Sequence, residues 1–108
     1  MRKSIVAGQF YSSNKEELKK NIEGYLKDIN KSEKNVKGII VPHAGYYFSG
    51  KCAAHAYKQL NNYELFIIIG TNHNGNKTCI SLEDFETPLG IVKNNKELRL
   101  LVTNSCST

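Results

Sequence analysis

The chain predicts an α/β fold built on a parallel crossover, and three observations carry that prediction. Residues 38–41 (GIIV) and 65–69 (LFIII) are short apolar runs that do not alternate, the pattern of strands covered on both faces in a parallel sheet. About 20 residues with a helical pattern join them, a length that suits a right-handed parallel crossover. A separate amphipathic stripe, Leu18, Ile22, Tyr25, Leu26 and Ile29, precedes them and marks a helix with one apolar face. Each apolar run leads into a loop that carries a histidine, His43 after the first and His73 after the second. Parallel neighbours bring both imidazoles to the carboxyl edge of the sheet, where open α/β sheets place their ligand sites.

The elements follow in order. Residues 5–11 (IVAGQFY) are apolar with an internal glycine and predict a short strand or an extended arm. Ser13 and Glu16 fit a capping box, so a helix starts near Asn14 and frays by Asn30. Gly24 inside it invites a close approach. Residues 30–37 are a polar loop, and Pro42 closes the first apolar run because proline cannot donate to a ladder. Ser49 caps a second helix from Gly50 to about Leu60, thin on its alanine side, with Asn61 and Asn62 as its stop. Residues 78–85 predict a third strand, Thr87–Gly90 a turn, and Ile91 and Val92 a further short strand. Asn94 or Asn95 caps a last helix from Lys96 to about Val102.

Composition sets the frame. The 108 residues suit one small domain, and a chain of this size buries roughly two-thirds of its unfolded surface. No apolar stretch approaches about 18 residues, and the N-terminus lacks the apolar core of a secretory signal. A soluble, cytoplasmic protein is the expectation, with no membrane contact. Net charge is +5, but the lysines are spread among glutamates and arginine is scarce. That reads as solvated faces and not as a nucleic-acid surface. The three cysteines, Cys52, Cys79 and Cys106, form no CxxC pair and predict no disulfide framework. Cys52 and Cys79 read as small apolar packing groups.

The two histidines are the candidates for chemistry. A neutral imidazole ligates iron, zinc or copper and serves as a general base near neutral pH. Each is equally readable as a loop histidine bonded to backbone. His55, inside the helix, reads as a surface or packing group. Tyr46, Tyr47 and Phe48 beside His43 wall a pocket or pack the loop. Asn72 and the glycines around His73 read as an anion nest or as a polar turn. One carboxylate of Glu83, Asp84 and Glu86 is a candidate to complete a two-histidine site. No GxSxG, P-loop or complete dinucleotide fingerprint is present.

VPHAGYYFSGKCAAHAYKQL closely resembles the signature of the Memo family. AGQFY before the first helix, FIIIGTNHNG, and the TPLG turn of FETPLG resemble further family segments, in the family's order and spacing, over about residues 6–95. The resemblance implies a three-layer α/β/α fold with a mostly parallel central sheet, like that of the class III extradiol dioxygenases. It implies a metal held by His43 and His73, iron ahead of copper or zinc, and a third protein ligand from a later part of the family's chain. On this reading residues 1–108 are the N-terminal portion of a single, truncated Memo-like domain. Tyr46 and Asn72 are the expected ligand contacts. The resemblance also implies a radical-SAM protein and an associated partner, and half a sheet leaves an edge open to self-association. Two functions follow. One is a non-haem metal site of extradiol-dioxygenase type with no assigned reaction. The other is a non-catalytic module for a phosphorylated or aromatic ligand or a protein partner. A remnant that needs a partner to function is a third reading.

Overall fold

Asn14 starts the first helix. Its side-chain Oδ1 accepts from the Glu17 amide at 2.9 Å, so asparagine occupies the cap one residue later than the Ser13 capping box predicts. Ser12 completes the motif. Its hydroxyl donates to the Glu17 carboxylate at 3.0 Å and accepts from the Asn14 amide at 3.1 Å. Serine and glutamate thus cooperate as a capping box requires, but around a different centre. In the computed structural model, which describes residues 1–99, the elements are α1 (Lys15–Leu26), α2 (Tyr46–Tyr57), β1 (Phe85–Thr87), β2 (Gly90–Val92) and α3 (Lys96–Arg99). Residues 100–102 of the expected last helix, and Cys106, lie outside the described residues.

α1 packs on α2. The core of the described residues is small: Leu18 is 3 % exposed, and Ser49, Ala53 and Ala54 are the other buried side chains among them. Alanines let α2 lie close, as their spacing predicts. The close approach is at Gly50, where a Cβ would meet the Tyr25 ring at 2.8 Å. Gly24, the glycine singled out by sequence, has open space around it.

α2 begins four residues before the predicted start. Gly45 is the N-cap, and the Ser49 hydroxyl donates back to the carbonyls of Ala44 at 3.0 Å and Gly45 at 3.4 Å. Ser49 therefore sits inside the first turn and not at the cap. The cause lies in residues 5–11, which are neither strand nor arm. Gly8 takes φ +88°, the amides of Gln9 and Phe10 donate to the Val6 carbonyl, and the chain folds back so that the Phe10 carbonyl accepts from the Tyr46 amide at 2.7 Å. An orphan donor at the helix start is satisfied by this loop.

The C-terminal part forms an antiparallel hairpin, with Phe85 opposite Val92 and Thr87 opposite Gly90. Gly90 adopts φ +137° at the turn exit, which a side chain would resist. Thr87 Oγ1 donates to the Gly90 carbonyl at 2.7 Å and accepts from the Leu89 amide. The Arg2 backbone adds a parallel bridge to Phe85. Of the expected strand over 78–85, Phe85 is in β1 and Ile80 makes an isolated bridge, while Asn94 Nδ2 takes up the carbonyls of Ser81 and Glu83 that a ladder would use.

The two apolar runs differ most from expectation. Among the described residues, 38–41 and 65–69 form no strand and no backbone ladder, and the described sheet is the two-stranded β1–β2 hairpin. The runs do lie alongside each other. Tyr63 Oη donates to the Val36 carbonyl at 2.8 Å and to Asn35 Oδ1 at 3.1 Å, and His43 meets His73 at the far end. They therefore run in the same direction between two points of contact. A parallel ladder between two short strands alone is weak, and their side chains lack covering layers: Ile40 is 99 % exposed and Ile69 91 %. The described architecture is a small α/β arrangement of packed helices and an antiparallel hairpin.

The cap shift is measurable. Asn14→Ala lowers stability by about 1 kcal/mol in urea unfolding followed by circular dichroism, and Asn14→Asp retains it. Ser13→Ala stays within about 0.5 kcal/mol of the parent; a larger loss there would return the cap to Ser13.

Candidate metal centre

Pro42 and Gly45 frame the turn that carries His43 into α2, and the loop after residue 69 carries His73. The two Nε2 atoms are 3.2 Å apart. The ring centroids are 5.3 Å apart, with planes tilted by 50°. Both side chains are exposed. Two loop histidines separated by 30 positions thus meet as the crossover reading predicts, although the strands behind them form no ladder.

The other candidates are placed differently. His55 lies on an exposed position of α2. Glu83, Asp84 and Glu86 belong to the hairpin side of the molecule. Glu83 pairs with the N-terminal ammonium at 3.1 Å, Glu86 with Lys3 at 3.0 Å and Asp84 with Lys93 at 3.3 Å. Surface pairs of this kind add little stability, but they engage each carboxylate away from the imidazoles. Among the described residues, no group of three His, Cys, Asp or Glu side chains is positioned to hold one ion.

Asn72 bonds within its own loop. Its Nδ2 donates to the Lys77 carbonyl at 3.1 Å and lies 3.8 Å from Cys79 Sγ. Gly75 fits beneath it, since a Cβ there would collide with the Asn72 amide. The side chain expected to contact a ligand thereby shapes the loop that presents His73. Cys79 is half-buried and disulfide-bonded, contrary to the expected free packing group. Cys52 is a free thiol on the exposed side of α2, because the inward positions of that helix are 46, 49, 50, 53, 54 and 57.

Tyr46 is the feature with the most structural context. It faces a cavity of about 320 Å³ between α1, α2 and the 6–11 loop, and His43 lies on the same wall. Tyr11, Tyr25 and Tyr57 also line it, and the Tyr11 ring sits 5.5 Å from that of Tyr46. Four tyrosines around one cavity are legible only in part from sequence. The YYF run marks Tyr46, but Tyr11, Tyr25 and Tyr57 come from separate elements. Tyr47 and Phe48, the rest of the run, point to solvent as an edge-to-face pair 5.2 Å apart.

Burial raises the Tyr46 hydroxyl pKa above the ordinary value of 10.0, and the neighbouring Tyr57, Tyr11 and Tyr25 reinforce the shift. The native state therefore disfavours the phenolate. This contribution to stability is intact below the unfolded pKa of about 10 and is lost as pH rises through the higher folded pKa. In unfolding experiments above pH 10, Tyr46→Phe loses less stability than the parent as alkali increases. Identical alkaline slopes would place Tyr46 in solvent.

Known proteins match this chain along most of its length. A family model described as "Memo-like protein" matches residues 2–107. A MEMO1 family protein of Methanosarcina barkeri is 36 % identical over 97 % of this chain and 40 % of its own length. One from Methanosarcina acetivorans is 40 % identical over 91 % of this chain and 38 % of its own. One from Aquifex aeolicus is 40 % identical over 92 % and 38 %. The chain thus spans about two-fifths of the length of these relatives. With a match over nearly its whole length, the chain belongs to the Memo-like protein family.

Proposed function

We propose that His43 and His73 are two protein ligands of a mononuclear non-haem metal site of extradiol-dioxygenase type, within a three-layer α/β/α domain of which residues 1–108 form the N-terminal portion. The observation that carries the reading is the 3.2 Å separation of the two Nε2 atoms. An N–H···N bond between neutral rings has that length. It is also a separation at which both imidazoles would reach one ion. The co-directional runs behind the histidines support the parallel-sheet part of the reading.

The donor set fits iron, copper or zinc, all of which imidazole accepts. A bound ion would act as a Lewis acid toward an oxygen ligand, and as a redox centre if it is iron or copper. The chain's own residues contribute orientation. Pro42 and the start of α2 fix the His43 backbone, and the Asn72 bond to Lys77 shapes the His73 loop. The cavity at His43 suits an aromatic group: its walls are mostly aromatic rings and aliphatic side chains, and among the described residues no lysine or arginine lines it. That favours an aromatic over a phosphorylated ligand for this pocket, both for an enzyme and for the alternative of a non-catalytic module.

Two imidazoles bind weakly compared with three- or four-ligand sites, and raw affinity follows copper, then zinc, then ferrous iron. Calorimetric titration of the metal-free chain gives one copper or zinc site in that order. His43→Ala and His73→Ala each weaken it at least about tenfold, since loss even of an outer-shell partner costs that much. Stoichiometric binding that survives both substitutions rejects the site.

A further inference from the structure

We infer that Asn74 is a site of spontaneous modification in the folded chain, where its side-chain amide turns into a carboxylate, partly as isoaspartate, next to His73. The inference stands apart from the metal reading. Asn74 is the chain's one asparagine followed by glycine, and glycine puts no side chain in the way of attack by its own amide nitrogen. Both residues are exposed, in the loop that presents His73. Neither belongs to a helix or a strand, so no ladder holds the Gly75 nitrogen. Among the described residues, no hydrogen bond engages the Asn74 side chain or the Gly75 amide. The attacking nitrogen and the carbon it attacks are both uncommitted.

The other asparagines show what this position adds. Asn14, Asn35, Asn61 and Asn94 engage their side-chain amides in hydrogen bonds. Within the His73 loop, Asn72 Nδ2 donates to the Lys77 carbonyl at 3.1 Å, and the residue after it is a histidine, whose side chain hinders the attacking nitrogen. Asn76 is exposed as well, but Lys77 follows it and the same hindrance applies. In this loop Asn74 combines an unbonded amide with an unhindered nucleophile. The fold also holds glycine at position 75, because a Cβ there would collide with the Asn72 amide. The packing that shapes the loop thus keeps glycine where the reaction requires it.

The chemistry needs only water and a base. Base removes the Gly75 amide proton, and the nitrogen attacks Asn74 Cγ. The N–Cγ bond forms, the Cγ–Nδ2 bond breaks, and ammonia leaves with a proton from solvent. The resulting succinimide takes up one water. Cleavage of the new N–Cγ bond gives aspartate. Cleavage between the same nitrogen and the main-chain carbonyl carbon of residue 74 gives isoaspartate, whose main chain passes through the former side chain and is longer by a methylene. Either product places a carboxylate directly after His73 and removes one unit of the +5 net charge. The added methylene falls inside the turn that the Asn72 bond to Lys77 closes.

The experiment incubates the folded chain at mildly alkaline pH and follows the loop peptide by mass spectrometry, with fragmentation that separates aspartate from isoaspartate. Methylation by a protein isoaspartyl methyltransferase with labelled S-adenosylmethionine reports isoaspartate independently. Asn74 converts before Asn72 and Asn76, both products accumulate, and the rate rises with pH because the attacking nitrogen must lose its proton. The native rate stays within about threefold of that of the urea-unfolded chain, since opening an exposed loop costs close to nothing. Asn74→Gln, which would have to close a larger ring, and Asn74→Ser each abolish the methyl label on this peptide and leave the helical circular dichroism unchanged. A native rate further below the unfolded one overturns the inference, because the fold then protects the pair. Conversion of Asn72 or Asn76 ahead of Asn74, or a label on the loop peptide that persists in Asn74→Gln, overturns it as well.

Discussion

The packing of α1 on α2 is the constraint on which the rest of this structure depends. Among the described residues its core is little more than Leu18 of α1 and Ser49, Ala53 and Ala54 of α2, with the Tyr25 ring over Gly50. Each part of that contact is local chemistry read in three dimensions. The Asn14 cap sets the phase of α1, and that phase turns Leu18 inward. The small residues of α2 then admit the helix at close range. Because α2 begins at Tyr46, immediately after the loop that carries His43, the same contact fixes one of the two histidines. Leu18 also sits near the hairpin, where it shares a cleft with Leu89 and Ile91. One small apolar contact thus joins the helices, the hairpin and one arm of the candidate site.

The second histidine is held differently. After α2 the chain is stitched to the loop that follows α1 by polar side chains. Gln59 Nε2 donates to the Asn30 carbonyl at 2.9 Å, Gln59 Oε1 accepts from the Ser32 amide, and Lys31 reaches the Leu60 carbonyl at 2.7 Å. These bonds are exposed and individually weak. They nonetheless set the start of the second apolar run opposite the start of the first, and His73 arrives at His43 as a result. The site is therefore built from one arm anchored in packing and one arm anchored in surface hydrogen bonds. Local opening free energy follows such anchoring, so the His73 arm is the more readily displaced.

On the proposed metal reading, affinity for an ion would be linked to the state of the apolar runs. Anything that pairs the runs along their length would hold both loops at one edge, and an ion bridging the imidazoles would favour the same alignment. By mutual linkage each would stabilise the other. The tyrosine-lined cavity lies behind the better-anchored arm, against α1 and α2. It depends on the helix packing and not on the runs. A ligand there and an ion at the histidines would thus draw on separate parts of the fold that share only His43.

Sequence alone determined the features that depend on local spacing. The α1 stripe is legible because apolar residues recur at helical intervals, and the turn at Thr87–Gly90 because threonine, proline and glycine have fixed turn chemistry. The meeting of His43 and His73 is legible because two similar run-and-loop units with a helix between them have few topologies open to them. The tertiary structure decided what depends on partners distant in the chain. The cap moved to Asn14 because Ser12, outside the predicted box, bonds Glu17. α2 gained a turn because the Phe10 carbonyl accepts from Tyr46. The carboxylates near residue 84 turned to the N-terminus and to lysines. The two apolar runs did not become strands within the described residues, since a strand is completed by its neighbours and β preference reports fit to a covered surface. A run of isoleucines encodes the need for a covered surface, and the described residues leave this one exposed.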